Sequence, residues 1–279
     1  MFKISVANKE YSIPAAWEDI TVSQAKYLQV KVNELPETVK EFYIPNNEDK
    51  KTLTDDDILL QNEFERNVTS YLCGLDDIVN HVNNEDIKYL FDNILIRFVV
   101  GVMGYVDYEQ KKITEFDYKG KTFYFPKSGK DITNDDTPLS EMSAQQFCDA
   151  SDIASANNLA VAALFIATLC AGKYNETEIM KMADMFNDLT MNVYFEALFL
   201  LRNAHDYLSN ECPECYGKGK AKGTGKSITW NEVLLQVTDE KPSEIPFIQS
   251  MKCYDFMRFL NVKYKIQKDK WQTMSKLMF

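Results

Sequence analysis

One apolar stretch, Leu159 to Cys170, constrains the fold of this chain more than any other feature. Its twelve residues read Leu-Ala-Val-Ala-Ala-Leu-Phe-Ile-Ala-Thr-Leu-Cys, and a helix built from them is apolar on every side. Such a helix must be buried in protein, because a helix that spans a bilayer needs about 20 apolar residues. We therefore expect this segment to lie inside a helical domain.

Two further helices are predicted after this stretch. Asn175 is placed to cap the first of them, with Glu178 reaching back to its start. Four apolar residues then recur at helical spacing, namely Ile179, Met182, Phe186 and Leu189. A third apolar run, 193–201, predicts another largely buried helix.

The composition excludes several classes of protein. Apolar residues make up 45% of the 279 residues and aromatic residues 13%, which is enough for a core and too many for a disordered chain. A net charge of -11 argues against a general nucleic-acid binder, since phosphate contacts need clustered Lys and Arg. We expect no signal peptide and no membrane helix, and hence six reduced cysteines.

The first part of the chain predicts a β-hairpin followed by helices. Residues 2–14 alternate as a hairpin with Asn8 at the turn, and Thr21 to Gln24 form a capping box that opens a helix through about Val32. The acidic segment 33–57 has no sustained period and is interpreted as a surface insertion. A helix from about Ile58 to Leu72 is predicted next, with Asp55–Asp57 capping it. An amphipathic helix then carries the stripe Ile87, Leu90, Phe91, Ile94, Leu95 and Phe98.

The same order then recurs. Residues 113–126 predict a second hairpin with Gly120 at the turn, and Ser143 to Gln146 form a second capping box. The tripeptide Leu169-Cys170-Ala171 is also similar to Leu72-Cys73-Gly74. Two interpretations fit these similarities: an internal duplication with insertions at 33–57 and 127–138, or a chance match between amphipathic helices.

The last part of the chain predicts a flexible loop and two helices. Residues 210–228 are rich in Gly and Lys, which favours a flexible loop. Thr229 to Glu232 form a third capping box, Pro242 and Pro246 end that helix, and a final helix begins near Phe247. The segment 263–279 is basic and aromatic, which suits docking onto an acidic protein neighbour or an ordinary last helix packed on the core.

The motif Cys212-Pro-Glu-Cys215-Tyr-Gly-Lys-Gly219 resembles one unit of the zinc-binding region of J-domain co-chaperones. Two thiolates at this spacing can bind one tetrahedral Zn²⁺. The other two ligands would come from His205, Cys253 or a neighbouring subunit. The alternatives are a redox dithiol and a plain loop with two exposed cysteines.

No catalytic constellation is visible in the sequence. Gly223–Ser227 matches the last part of the phosphate-binding loop motif. Lys220, however, occupies the position where that motif requires its first glycine. Neither His81 nor His205 has a Ser or Cys partner that the sequence places nearby. Methionines 180, 182, 185 and 191 suit either an adaptable partner groove or a core stripe. We therefore predict no enzyme, no catalytic, cofactor-binding or metal residues, and no cofactor.

Three segments carry a family resemblance. Asn8–Pro14 and Trp17–Gln24 resemble the start of proteins encoded among the tail and virion genes of tailed phages, those infecting Bacteroidetes above all. Tyr71–Ile78 is similar to the same group. The likeness covers residues 1–105 and, more loosely, 139–208. It implies a tail assembly chaperone or a small structural subunit, found in the virion or in the host cytoplasm during assembly.

These observations predict a mainly α fold in which two related helical units, 1–106 and 107–209, are each led by a hairpin. The loop 210–228 and a C-terminal helical extension, 229–279, follow. The expected function is non-enzymatic phage tail or virion assembly through contacts with other phage structural or assembly proteins, with no small-molecule substrate, nucleic acid or membrane. The alternative is a zinc-stabilised, chaperone-like protein-binding module.

Overall fold

The protein is mainly helical and carries two small β-hairpins, as the sequence predicted. The computed structural model describes residues 1–6, 9–44, 52–74, 84–126, 139, 142–216, 228–238, 241 and 243–277. The chain forms two compact units. The first contains residues 1–109 and 186–194, and the second contains residues 110–185 and 195–279.

The first unit begins with the predicted hairpin. Strands β1 (Phe2–Val6) and β2 (Lys9–Ile13) pair antiparallel, with Phe2 opposite Ile13. The turn at Asn8 lies outside the described residues. Ile13 is fully buried, so the inner face of β2 contributes to the core. The helices of this unit are α1 (Val22–Glu34), α2 (Glu37–Tyr43), α3 (Asp55–Cys73), α4 (Asn84–Leu90) and α5 (Ile96–Val102).

The acidic segment 33–57 contains a helix where its composition predicted an insertion without a sustained period. Val39 and Tyr43 in α2 are one helical turn apart, and both are buried. The Tyr43 hydroxyl donates a hydrogen bond to Glu65 Oε1 at 3.0 Å. Helix α2 therefore has only two buried apolar positions. A search for a repeating apolar pattern needs more positions than that.

Helix α3 begins at Asp55, three residues before the predicted start. Its N-cap is Thr54, whose hydroxyl accepts a hydrogen bond from the Asp57 backbone N–H at 3.1 Å. The Asp57 carboxylate accepts one from the Thr54 N–H in return. Thr54 and Asp57 are therefore a further capping box, which the sequence analysis assigned only as acidic capping.

The predicted amphipathic stripe is confirmed for three of its six residues, and Leu90 and Ile94 are half-buried. Helix α4, a π-helical turn at Phe91–Leu95 and helix α5 follow one another without a break. Phe91, Leu95 and Phe98 are fully buried, whereas the side chain of Ile87 lies outside the described residues. The residues Phe91, Leu95 and Phe98 are buried along this π-helical turn and the helix that follows it.

The second unit also begins with its predicted hairpin. Strands β3 (Glu115–Tyr118) and β4 (Lys121–Tyr124) pair antiparallel across Lys119 and Gly120, whose φ angles of 49° and 75° suit a tight two-residue turn. The buried carboxylate of Glu196 accepts backbone hydrogen bonds from Lys111 and Ile113 just before β3. The helices are α6 (Ala144–Ser155), α7 (Ala162–Cys170), α8 (Glu176–Met185), α9 (Met191–Glu211), α10 (Trp230–Val237), α11 (Ile245–Ser250) and α12 (Cys253–Leu277). The first four residues of α9 group with the first unit.

Most of the apolar stretch that constrained the fold is buried as expected, although Ala160 is exposed and Val161, Leu164 and Cys170 are half-buried. It forms a short 3₁₀ turn and α7, and Phe165, Ile166, Ala167 and Leu169 in α7 have almost no exposed surface. The predicted cap of α8 is confirmed, since the Glu178 N–H donates to Asn175 Oδ1 at 3.2 Å.

The predicted C-terminal helix boundaries are partly wrong. The capping box of Thr229 and Glu232 opens α10 as expected, but α10 ends at Val237. Pro246 lies in the first turn of α11, where a proline is tolerated because no helical partner needs its N–H. A helix does begin near Phe247, at Ile245, but it ends at Ser250, and the last helix begins separately at Cys253.

The same local arrangement occurs once in each unit. The N-cap residue of α1, Thr21, forms an isolated antiparallel bridge with Thr190, just before α9. The N-cap residue of α6, Ser143, forms one with Lys252, just before α12. The flanking hydrogen bonds match as well: Val22 N to Leu189 O, Met191 N to Ile20 O, Ala144 N to Met251 O and Cys253 N to Met142 O, at 2.7 to 2.8 Å. This correspondence favours duplication, which stays a prediction.

Candidate functional site

The last helix, α12, has one face buried in the second unit. Cys253, Phe256, Met257 and Leu260 are spaced by three, one and three residues, and each is at most 2% exposed. This face packs on α6, and the N–H of Cys253 bonds to the carbonyl of Met142 at the start of the helix. The first two turns of α12 are therefore part of the core.

The opposite face of α12 carries an exposed apolar stripe. Phe259, Val262 and Ile266 are 44%, 56% and 50% exposed, and their spacing of three and four residues places them on one side of the helix. We call these three residues the α12 outer face. Arg258, Lys265 and Lys270 are exposed and border it. Asp255, four residues before Phe259, and Asp269, beside Ile266, are exposed as well, so the surroundings contain three basic and two acidic side chains.

The middle of α12 is held in place by polar contacts within the second unit. Lys268 Nζ lies 2.9 and 3.0 Å from the two carboxylate oxygens of Glu214, and the Glu214 N–H donates to Asn261 Oδ1 at 2.9 Å. Lys263 Nζ donates to the carbonyl of Val237 at 3.0 Å. These contacts attach the middle of α12 to the rest of the second unit. The side chains of Trp271 and of 274–279 lie outside the described residues.

Residues 212–216 form an ordered turn, although their composition suggested a flexible loop. Cys212 is fully buried, and the Cys215 thiol donates to the carbonyl of Met257 at 3.3 Å. Tyr216 contacts His205 in α9. Each anchor comes from a residue distant in sequence, and a local composition rule cannot detect such contacts. The rest of the predicted loop, 217–227, lies outside the described residues.

The structure does not assemble the four ligands required by the zinc hypothesis. Cys253 lies within electrostatic range of Cys212 and Cys148, but both ring nitrogens of His205 bind other groups. Within the described ranges, no group of three or more His, Cys, Asp or Glu side chains is placed to hold a metal ion. Four sulfur or nitrogen ligands around one ion are the rule for structural zinc. The geometry therefore gives this alternative no support.

His205 is a buried, internally satisfied histidine. Ser151 donates its hydroxyl proton to the Phe147 carbonyl at 2.6 Å, so it accepts from His205 Nε2–H across 3.0 Å. The remaining nitrogen, Nδ1, then accepts from the Tyr216 hydroxyl at 2.8 Å. Burial lowers the pKa of His205 to about 4, which keeps the imidazole neutral at pH 7.

This network brings together a serine and a histidine that the sequence analysis did not connect. They are 54 positions apart and come from α6 and α9, and no local motif marks the pair. Ser151 is only 2% exposed, and its hydroxyl donates its proton to the carbonyl of Phe147. The rings of Phe147 and Trp230 also lie within 6 Å of the imidazole. A substrate has no access to the hydroxyl, and the pair stabilises the core.

A cleft of about 290 Å³ lies on the second unit and is lined by acidic and apolar side chains. Its main acidic residues already have structural roles. Both carboxylate oxygens of Asp152 accept backbone N–H groups at the start of α10, from Trp230 and Asn231. Asp149 accepts from the side-chain amides of Gln145 and Asn231. These two carboxylates of α6 therefore hold the start of α10 in place.

The remaining candidate residues divide between surface, core and undescribed segments. Met180 is 48% exposed, whereas Met191 is buried, so the methionine run is not one continuous groove. His81, Lys220 and the glycine-rich segment 223–227 lie outside the described residues.

The thiols are expected to react slowly in the folded protein. Burial raises the pKa of Cys215 and that of Cys73 to about 12. Since the thiolate is the reactive form, labelling of Cys215 with a disulfide reagent at pH 8 should be on the order of 10³ slower than for a free cysteine. In guanidinium chloride, all six cysteines should react quickly. Fast labelling of the native protein that disappears in Cys215→Ser would instead indicate a low-pKa dithiol.

Comparison with known proteins does not assign this chain to a family. The chain matches no protein-family model, no curated protein and no solved structure. None of the helices in the described part of the chain combines the length and the apolar character needed to cross a membrane. The functional proposal below is based on the exposed apolar side chains of the α12 outer face.

Proposed function

We propose that this chain is a non-enzymatic protein that acts through contacts with other proteins in the assembly of a phage tail or virion, either as a structural subunit or as an assembly chaperone. The α12 outer face carries the proposal. Three large apolar side chains exposed together on one helix are typical of a protein-binding surface. Their spacing is that of a helix that presents anchors to a groove.

Buried polar groups of the second unit have partners within the fold. His205 and Ser151 satisfy each other inside the core, and the carboxylate of Glu196 binds two backbone amides. Each of these groups thereby stabilises the fold. The phage assignment itself rests on the sequence resemblance of residues 1–105.

Mass spectrometry of particles purified from cells that replicate the encoding genome tests the proposal. A fixed copy number per particle identifies a structural subunit, and presence only in assembly intermediates identifies a chaperone. Absence from both contradicts the proposal.

A variant of the outer face adds a functional readout. Val262→Gln/Ile266→Gln removes the two most exposed apolar anchors without introducing charge, so the yield of particles should fall sharply. Leu235→Gln is the matched control, because Leu235 in α10 is also 50% exposed but lies outside the outer face. Equal particle yields from both genomes would show that the outer face is not the functional surface.

A further inference from the structure

Among the described residues, exposed large apolar side chains form two groups of three on single helices. One is the α12 outer face. The other is Ile58, Leu59 and Leu60 in the first turns of α3, which are 43%, 66% and 43% exposed. Exposed apolar residues scattered singly are normal on a protein surface, whereas grouped ones mark interaction sites. The two groups therefore mark either the two sides of one interface or two different interfaces.

The two groups carry opposite charge. Ile58–Leu60 directly follow Asp55 and Asp56, and Glu63 lies in the next turn, all three with exposed side chains. Consecutive helical residues point about 100° apart, so Ile58, Leu59 and Leu60 spread around the exposed half of α3, and Leu59 lies between Asp55 and Glu63 on one side. Lys31 is within electrostatic range of Glu63. We call Asp55, Asp56, Ile58, Leu59, Leu60 and Glu63 the α3 acidic patch. The α12 outer face is bordered by Arg258, Lys265 and Lys270 and by two carboxylates, Asp255 and Asp269, which leaves an excess of one positive charge. Apolar contacts flanked by opposite charges are the pattern of two complementary sides of one interface.

We propose that the α12 outer face of one copy of this chain docks on the α3 acidic patch of a second copy. Each surface is exposed on its own unit, the acidic patch on the first and the outer face on the second, and each is therefore open to a second copy. This inference rests on the proposed function, and it identifies the protein partner as a second copy of the chain. On a chain of net charge -11, a basic surface next to exposed apolar residues is best matched by another copy's acidic patch.

The geometry of such a contact decides what assembles. The two patches are different surfaces, so each copy keeps one patch free after it has bound a neighbour. An interface of this head-to-tail kind propagates into a ring if its rotation closes and into an open chain if it does not. A symmetric dimer, in which each copy uses the same patch, is not expected.

Sedimentation velocity of the purified full-length protein measures the association. The wild type should form species larger than a dimer as its concentration rises, and these should weaken as salt is added, since the flanking charges are screened. Two variants each remove one patch: Leu59→Gln/Leu60→Gln on α3 and Val262→Gln/Ile266→Gln on α12. Glutamine keeps the helix propensity and adds no charge, so both variants should fold and remain monomeric.

Mixing the two variants gives the decisive result. The α3 variant retains an intact outer face, and the α12 variant retains an intact acidic patch. Their mixture should therefore form a 1:1 heterodimer that does not grow further, because each of the remaining patches has lost its apolar anchors. Tyr89→Gln and Leu235→Gln, at positions that are 67% and 50% exposed, are the matched controls and should associate like the wild type.

Four outcomes would overturn the proposal. They are a wild type that stays monomeric, an association that neither variant weakens, loss of association in only one variant, and a mixture that stays monomeric. A protein that fails here but is found in purified particles keeps the proposed function and loses only this choice of partner. A protein that associates as expected but is absent from particles and intermediates loses the proposed function alone.

Discussion

Replacing Gly101 with leucine should destabilise the first unit by about 3 kcal/mol or more. Gly101 lies in α5 and is buried against Trp17, and a Cβ at this position would overlap the indole ring. The ring cannot easily move away. Its Nε1–H donates to the Asp107 carbonyl at 3.2 Å, and it packs edge-on against Phe98 at 4.9 Å. Equilibrium urea unfolding of the two proteins measures the loss.

Two further variants separate overlap from a general effect of the substitution. Gly172→Leu is the matched control, because a Cβ at Gly172 has no neighbour within 4 Å, and its effect should stay within about 0.5 kcal/mol. Trp17→Ala removes the ring, so Gly101→Leu should be much less destabilising in that background. If Gly101→Leu has the same free energy of unfolding as the wild type, the close packing of Trp17 on α5 is not present in solution.

Features encoded by neighbouring residues were predictable. The capping boxes at Thr21, Ser143 and Thr229 were found because side chain and backbone bond within four residues. The hairpin around Gly120 was found because a residue type and an alternation together specify the turn. In these elements the sequence signal is local, and so is the interaction that produces it.

Features fixed by distant contacts were not predictable. Helix α2 is held through Tyr43 and Glu65, which are 22 residues apart, and its two apolar anchors form no period. The turn at Cys215 is fixed by Met257, which is 42 residues away. A sequence window contains only one partner of each pair.

The candidate site shows the same limit. The sequence of α12 has apolar residues on two opposite faces, and periodicity cannot decide which of them is buried. The structure buries the face of Phe256 and Leu260 and exposes that of Val262 and Ile266. The sequence analysis left open whether the basic end of the chain docks on a neighbour or packs on the core. The first turns of α12 pack, and the outer face is available for a neighbour.

Acidification from pH 6.5 to pH 4 should destabilise the second unit through His205. The pKa of this histidine is lowered from 6.5 to about 4 because burial penalises the charged imidazolium. The unfolded chain therefore binds a proton in this pH range that the folded protein does not bind. Stability contributed by the neutral imidazole is fully present above pH 6.5 and is lost as the pH falls towards 4. The lowered pKa corresponds to about 3 kcal/mol.

A variant that cannot titrate isolates this effect from that of the carboxylates. His205→Gln removes the titrating group while an amide can still bind Ser151 or Tyr216. The variant should be less stable than the wild type at pH 7, and the difference between them should shrink by about 3 kcal/mol between pH 7 and pH 4. His81→Gln, which replaces the other of the two histidines, is the control and should keep the steep wild-type profile. Parallel wild-type and His205→Gln profiles of unfolding free energy against pH would mean that His205 is solvated and charged in the folded protein, and the network of Ser151, His205 and Tyr216 would then have to be abandoned.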